Sequence, residues 1–225
     1  MELIKTFIDI VLHLQDHLNG LLMQFGPWFY GLLFLIIFCE TGLVVTPFLP
    51  GDSLLFAVGA LAADPKSGLN IGLCAVVITT AAFLGDNVNY WLGKLIGREL
   101  VRRFPRLIQQ THLDRTNAFF IKYGKKTLIL ARFVPIVRTF TPFVAGLGAM
   151  PYPRFIGMSF IATLLWVGLI LPCGYFFGNL PIVKKNFELI VLGIIFISVL
   201  PMVFEVLKAR NLKRQGTSPD SGTPK

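Results

Sequence analysis

Two apolar stretches of the chain are each interrupted by charges and prolines, and this combination constrains the fold more than any other feature. The first stretch runs from Glu40 to Asp52, and the second runs from Arg132 to Pro142. A charge near the bilayer centre costs roughly 2.5–3.5 kcal/mol on insertion scales. Because acids lie in one stretch and arginines in the other, we expect these side chains to face each other, water or a ligand. This pattern favours a transporter.

The composition is that of a polytopic membrane protein. Hydrophobic residues make up 54% of the 225 residues, and the mean hydropathy is +0.69. Several apolar runs reach about 20 residues, the length that a helix needs to cross the hydrocarbon core. A soluble domain of this size would have to bury 21 phenylalanines in one small core, which we consider excluded in practice.

The distribution of charge predicts the orientation. Residues 1–92 carry two basic and seven acidic side chains, whereas residues 93–126 carry nine basic and two acidic ones. By the positive-inside rule the central segment faces the cytoplasm, and counting crossings then places both termini there. Basic residues without interleaved aromatic residues indicate contact with membrane phospholipid headgroups, so we expect no nucleic-acid partner.

Hydropathy divides the chain into one polytopic membrane domain, residues 1–208, and a disordered cytoplasmic tail, residues 209–225. Full crossings are predicted at 28–46, 69–92, 153–177 and 187–207. Amphipathic helices lying on the membrane surface are predicted at 1–22 and at 93–126. Re-entrant hairpins are predicted at 47–66 and 127–150.

The two hairpins share features that indicate an internal repeat. Residues that break helices mark both of them: Pro47, Pro50, Gly51, Pro135 and Pro142. The tripeptide Thr-Pro-Phe occurs at Thr46 and again at Thr141, and the predicted topology inserts the hairpins from opposite faces. We therefore predict an all-α, inverted-repeat, transporter-like fold with about four full transmembrane helices.

The charged residues of the two interrupted stretches, Glu40 to Asp52 and Arg132 to Pro142, form the candidate site. Arg132 and Arg138 are predicted to bind phosphate, because guanidinium groups match phosphate oxygens with paired hydrogen bonds. Glu40 and Asp52 are predicted to couple or gate transport by exchanging protons. The alternative is that these acids only form structural salt bridges with the arginines, and both roles could hold in turn.

Other polar residues are given lesser roles. Asp86 and Asn87 form a secondary polar group, expected at the cytoplasmic interface because the basic segment follows. His13 and His17 lie one turn apart, but no third strong ligand is near in sequence, so no metal and no other cofactor is expected. Signatures of hydrolases and phosphate loops are missing from the sequence, so we do not expect an enzyme.

The longest motifs resemble those of the DedA family of bacterial inner-membrane proteins. They are the segments 38–56, Gly85–Tyr90 and Ala131–Gly146. The resemblance covers nearly all of residues 1–208, and it implies that Glu40, Asp52, Arg132 and Arg138 match functional positions of the family. It also implies a bacterial inner-membrane location, and transport of undecaprenyl phosphate that depends on the proton motive force.

Three functions therefore compete at this point. The first is a flippase that recycles a lipid phosphate, with undecaprenyl phosphate as the carrier lipid, coupled to protons or another ion. The second is a proton-coupled exporter of cations or small drugs, in which the acids bind the substrate. The third is a scaffold that transports nothing. Self-association into a homo-oligomer is left open.

Overall fold

The computed structural model describes residues 14–43, 51–103 and 110–178, with residues 180, 181, 183 and 193 beyond them. Every regular element in this part of the chain is helical, which confirms the predicted all-α class. The α-helices of these ranges are α1 Leu14–Phe25, α2 Phe29–Gly42, α3 Gly51–Ala62, α4 Ile71–Arg103, α5 Gln110–Tyr123, α6 Thr127–Ala131, α7 Pro135–Val144 and α8 Tyr152–Phe177.

Three helical stretches are long and apolar enough to cross a membrane, and α3 is a shorter apolar helix. The three stretches are His17–Gly42, Ile71–Gly97 and Tyr152–Phe177. They contain most of the predicted crossings at 28–46, 69–92 and 153–177. The fourth predicted crossing, at 187–207, lies outside the described residues except for residue 193, as do the start of the first surface helix and the tail at 209–225.

Two helix boundaries differ from those drawn on the sequence. The first of the three membrane-length stretches, His17–Gly42, contains a 3₁₀ segment at Gly26–Trp28. Gly26 has a φ of +52° there, and Pro27 follows it. The predicted surface helix and the first predicted crossing meet at this turn. Helix α4 continues to Arg103, 11 residues beyond the predicted end of its crossing. No proline lies between Ile71 and Arg103 to interrupt it.

The long helices α4 and α8 organise the packing. Helix α2 packs on α4, and the short helix α6 packs on α8. Helix α3 instead packs on α8, while α7 and the turn after it pack on α4. The chain thus has two broken segments, α2–α3 and α6–α7, and the second helix of each lies against the long helix of the other half of the chain. The main core forms where α2, α3, α4 and α8 meet, and it buries Ile37, Leu55, Ile78 and Trp166.

Pairs of glycines make both of these exchanged contacts close. Gly59 of α3 faces Gly174 of α8, and Gly93 of α4 faces Gly146 after α7. A Cβ atom added at any of the four would lie 2.0–2.3 Å from a carbonyl oxygen of the facing segment. Small residues at helix crossings let backbones approach closely inside membranes. The matching arrangement supports an internal repeat, while insertion of the hairpins from opposite faces stays a prediction.

Candidate functional site

Helix α2 carries one acid into the protein interior. Glu40 is the only charged residue of this helix and is buried, two residues before the helix ends at Gly42. Its carboxylate lies against the backbone of Gly51, where a Cβ atom would come within 2.1 Å of Oε2. Glycine is therefore the residue that leaves room for the acid. The predicted breaks Pro47 and Pro50 lie outside the described residues.

Asp52 lies in the first turn of α3. An acid at this position interacts favourably with the positive end of the helix dipole. Gly51 directly precedes Asp52, so the close approach of Glu40 to Gly51 also brings together the two acids of the first interrupted stretch, Glu40 to Asp52.

A break between α6 and α7 sets the position of both arginines. Arg132 follows α6 directly, and Val134 is extended, with φ −119° and ψ 105°. Pro135 then starts α7, as expected for a residue whose ring fixes φ and disfavours a helical residue before it. Arg138 therefore lies one turn into a new helix rather than on a continuation of the helix before Arg132.

The guanidinium group of Arg138 donates hydrogen bonds to both acids of the first broken segment, Glu40 and Asp52. Its Nη1 atom donates to Oδ1 of Asp52 at 2.6 Å. Its Nη2 atom donates to Oε1 of Glu40. Three of the four residues on which the predicted site was based thus form one ion-pair triad, in which Glu40 is buried and the other two are partly buried; we call it the Arg138 triad.

Arg132 pairs with a different acid. Its Nη1 atom donates to Oδ2 of Asp86, a residue of α4, and the same oxygen accepts a hydrogen bond from Ser159 Oγ at 2.7 Å. All three side chains are buried. The face of α4 that carries Asp86 is turned towards α8 inside the protein, and the expected position of Asp86 at the cytoplasmic interface stays a prediction.

Trp166 of α8 connects the two ion-pair groups. Its Nε1 atom donates to Oδ1 of Asp52 at 2.8 Å. The guanidinium carbon of Arg132 lies 5.0 Å from the centre of its ring, and that of Arg138 lies 5.6 Å from it. Both distances are within the range of cation–π attraction. One indole therefore contacts both arginines and holds one of the acids.

A small cavity lies between the two groups. Both arginines line it together with Asp86, Thr141 and Ser159, and its volume is about 10 Å³. This is near the lower limit for a single water molecule and far too small for a phosphate group. The Nη2 atom of Arg132 is buried and has no hydrogen-bond partner in the structure. The two guanidinium groups thus line the same narrow space, and one of them has an unused donor.

The remaining predicted residues have other roles. Asn87 is half-buried; its amide donates to the carbonyl of Phe83 and accepts from Tyr152 Oη. It does not join the charge cluster. Pro142 lies inside α7, which continues to Val144, so the predicted break at this proline is not where the helix stops. A helix can pass through one proline at the loss of one hydrogen bond, and a π-helical turn at Ala145–Ala149 follows instead.

Sequence reasoning missed Trp166 and Ser159. Both lie in the predicted crossing 153–177, where residues 155–177 carry no charge that would mark a site. The sequence does contain a signal: Ser159 and Thr163 lie one turn apart, and Trp166 follows Thr163 by about one more turn. Polar side chains in a membrane helix face protein partners, so this spacing marks the inward face of α8.

Comparison with known proteins places the chain in a family. The model of the VTT domain matches residues 49–176. The chain is 51% identical over 209 residues to the Protein DedA of Escherichia coli K12, covering 92% of this chain and 95% of that one. This chain belongs to the DedA family. The resemblance expected from its motifs is confirmed, and the chain is a membrane protein.

More distant relatives cover a similar share of the chain. An uncharacterized membrane protein of Mycobacterium tuberculosis is 41% identical over 189 residues, which are 84% of this chain and 83% of that one. The Inner membrane protein YqjA of Escherichia coli K12 is 34% identical over 176 residues, which are 78% and 79% of the two chains. No solved structure matches the chain.

Proposed function

We propose that this DedA-family protein is a transporter that moves a lipid phosphate across the membrane, with undecaprenyl phosphate as the substrate. The proposal rests on the ion pairs of Arg138, whose guanidinium group binds two separate carboxylates, those of Glu40 and Asp52. Each carboxylate offers the kind of anionic oxygen that a phosphate offers, and guanidinium groups bind both with the same paired geometry. A phosphate headgroup can therefore replace the carboxylates at this arginine.

The charge balance of the cluster supports coupling to protons. Three carboxylates, those of Glu40, Asp52 and Asp86, accompany two guanidinium groups. A buried carboxylate that loses its positive partner is stable only when it takes up a proton. When phosphate takes Arg138, the released acids would bind protons, and the return of Arg138 would release them. The proton motive force can then drive the cycle.

The small size of the cavity supports a cycle in which the site alternates between a closed and an open state. Because about 10 Å³ is too little for phosphate, the headgroup enters only after the α2–α3 and α6–α7 segments separate. The prenyl tail stays in the lipid throughout. Helix α3 packs on α8 and helix α7 packs on α4. Each half of the chain therefore has a partner in the other half against which it can move.

We further propose that the protein is located in the inner membrane with both termini in the cytoplasm, and that it is not an enzyme. The basic residues of 93–126 support the orientation, and the name of YqjA supports the location. Fusion of a reporter that is active only in the cytoplasm to each terminus tests the topology. Activity at one terminus alone would contradict it.

A leaflet-exchange assay tests the transport proposal. Proteoliposomes hold undecaprenyl phosphate in both leaflets, and a soluble phosphatase outside releases phosphate from the outer leaflet only. The unmodified protein should give complete release, because lipid from the inner leaflet keeps arriving. Arg138→Lys should stop release at the outer-leaflet fraction, since lysine keeps the charge but cannot bind two oxygens in a fork.

Arg102→Lys is the matched control. Arg102 is exposed and pairs with the exposed Glu99 on the protein surface, so this change should leave phosphate release complete. Full release by Arg138→Lys would overturn the phosphate role. If that variant instead still carries out proton-coupled export of a cationic dye, the acids bind the substrate and the exporter hypothesis is correct.

A further inference from the structure

A buried asparagine in α4 lies between the two broken segments. Asn89 is fully buried, and its Nδ2 atom donates to the carbonyl oxygens of Thr41 at 3.1 Å and Thr139 at 2.8 Å. Both acceptors are carbonyl oxygens, so the NH₂ end of the amide has to face them whichever way the side chain is first drawn.

The two carbonyls belong to the residues that follow the charged partners of the triad. Thr41 follows Glu40 at the end of α2, and Thr139 follows Arg138 in α7. One side chain of α4 thus fixes the two backbones that carry the acid and the arginine. The carbonyl of Thr41 lies in the last turn of α2, where a helix leaves carbonyl oxygens without partners in the helix itself.

Packing does not explain an amide at this position. The Oδ1 atom of Asn89 is buried and has no hydrogen-bond partner in the structure. An unpaired buried oxygen opposes folding, and an apolar side chain would avoid that cost. The two donors towards Thr41 and Thr139 are therefore the property for which asparagine is needed.

We propose that Asn89 is a positioning residue that holds α2 and α7 together and thereby controls opening of the Glu40–Arg138 ion pair. The two segments separate only after one of its two hydrogen bonds breaks. The inference rests on the proposed function in one respect, which is that this opening is a step of transport. The opening itself is measurable without any lipid substrate.

Thiol alkylation measures the opening. Ser53 is buried beside Asp52, and its hydroxyl has no hydrogen-bond partner in the structure, so Ser53→Cys places a similar-sized thiol next to the triad. Cys39 and Cys173 are replaced by alanine, and the buried Cys74 is kept as an internal reference. A water-soluble maleimide then labels the purified full-length protein, and mass spectrometry resolves the two sites.

Asn89→Ala should raise the labelling rate at residue 53 about tenfold, because two hydrogen bonds no longer oppose opening. The rate at Cys74 should not change. Cys74 lies 15 residues away on α4, roughly 22 Å along a helix, so general loosening of the protein would expose it as well. Asn89→Leu, which is close to asparagine in volume and also lacks both donors, should act in the same direction and serves if the alanine variant does not fold.

Asn87→Ala is the matched control. It removes an asparagine from the same helix, with two hydrogen bonds of its own, yet neither joins α2 to α7. Labelling at residue 53 should stay at the rate of the parent. Equal rates in the Asn89 variants and the parent, or an equal rise in Asn87→Ala or at Cys74, would overturn the proposal.

The phosphatase assay separates this inference from the transport proposal. Asn89→Ala should change the rate of leaflet exchange without changing its half-saturating concentration of undecaprenyl phosphate, because Arg138 itself is retained. If no variant and not even the unmodified protein moves the lipid, the proposed function fails, whereas specific labelling at residue 53 still establishes Asn89 as the residue that controls opening.

Discussion

The two buried arginines differ in how completely the protein satisfies them. Arg138 binds two acids, one of which, Asp52, has a side chain that is 19% exposed. Within the described residues, Arg132 has one ion-pair partner, Asp86, whose side chain is 3% exposed, and its Nη2 atom is unpaired. One of the two partners of Arg138 is therefore accessible, whereas Glu40, also 3% exposed, is as deeply buried as Asp86. This difference suggests that the Arg138 triad exchanges partners, while the Arg132 pair holds the fold around it.

The partners of each arginine come from different parts of the chain. The Arg138 triad joins the two broken segments to each other. The Arg132 pair joins the second broken segment to α4, and Ser159 adds α8. Opening the first group separates the segments, whereas opening the second would also release a long helix. Buried ion pairs contribute little net stability but cost much when one partner is removed, so substitutions can distinguish the two groups.

The largest expected effects come from removing each arginine. Arg138→Met and Arg132→Met keep much of the side-chain volume but leave buried carboxylates without a positive partner, which costs about 3–5 kcal/mol for a broken pair. The loss of unfolding free energy in detergent should be greater for Arg138→Met, because two acids lose their partner. Denaturant titration of the two variants measures it.

Double variants sharpen this comparison. Replacing Asp86 by asparagine together with Arg132→Met should restore much of the lost stability, because no unpaired charge remains. For Arg138→Met the same recovery should require replacing both Glu40 and Asp52. Recovery after replacement of only one of these acids would mean that Arg138 does not hold both in solution.

The sequence predicts the Arg138 triad better than the Arg132 pair, and the reason is physical. Glu40, Asp52 and Arg138 stand out as charges in apolar, broken stretches, where no solvent is available to them. Asp86 lies only eight residues before Lys94, so hydropathy alone does not separate an interfacial position from one buried against α8. The pairing of Arg132 depends on which faces of α4 and α8 meet, and this is a tertiary property.

The fold was predictable to a similar extent. Long apolar runs predict helices α4 and α8 directly, because nothing else buries so many apolar residues in a membrane. The repeated Thr-Pro-Phe indicates two related segments. Their exchange onto opposite long helices depends on Gly59, Gly174, Gly93 and Gly146, which meet only after folding. Glycine in a membrane helix is common, so its position alone does not predict which helix it contacts.

Ser159→Ala tests how much the Arg132 pair depends on its neutral partner. The variant removes a hydrogen bond to a buried carboxylate, which we expect to cost about 1.5–3 kcal/mol of unfolding free energy. Thr163→Val is the control, one turn along α8. The Thr163 hydroxyl is buried without a hydrogen-bond partner in the structure, so valine should leave stability unchanged or raise it. Equal losses in both variants would show that Ser159 contributes only packing.

Gly51→Ala tests the Arg138 triad from the side of Glu40. A Cβ atom would overlap the Glu40 carboxylate, and forcing extra volume into a packed site costs about 1–3 kcal/mol. Gly157→Ala in α8 meets open space and should be neutral or stabilising. Thermal unfolding in detergent compares the two. A neutral Gly51→Ala would mean that Glu40 does not lie at the start of α3.

Trp166→Phe should have the smallest effect, because it changes only one of the two interactions of the indole. The phenyl ring keeps a face for both guanidinium groups, whereas the hydrogen bond to Asp52 is lost. We expect a loss of about 0.5–1.5 kcal/mol in unfolding free energy, less than for Ser159→Ala, because Asp52 is partly exposed and water can replace the lost donor. Trp166→Leu removes the aromatic face as well and should cost more. If phenylalanine and leucine prove equally destabilising, the arginines gain nothing from the ring, and Trp166 contributes only its hydrogen bond to Asp52.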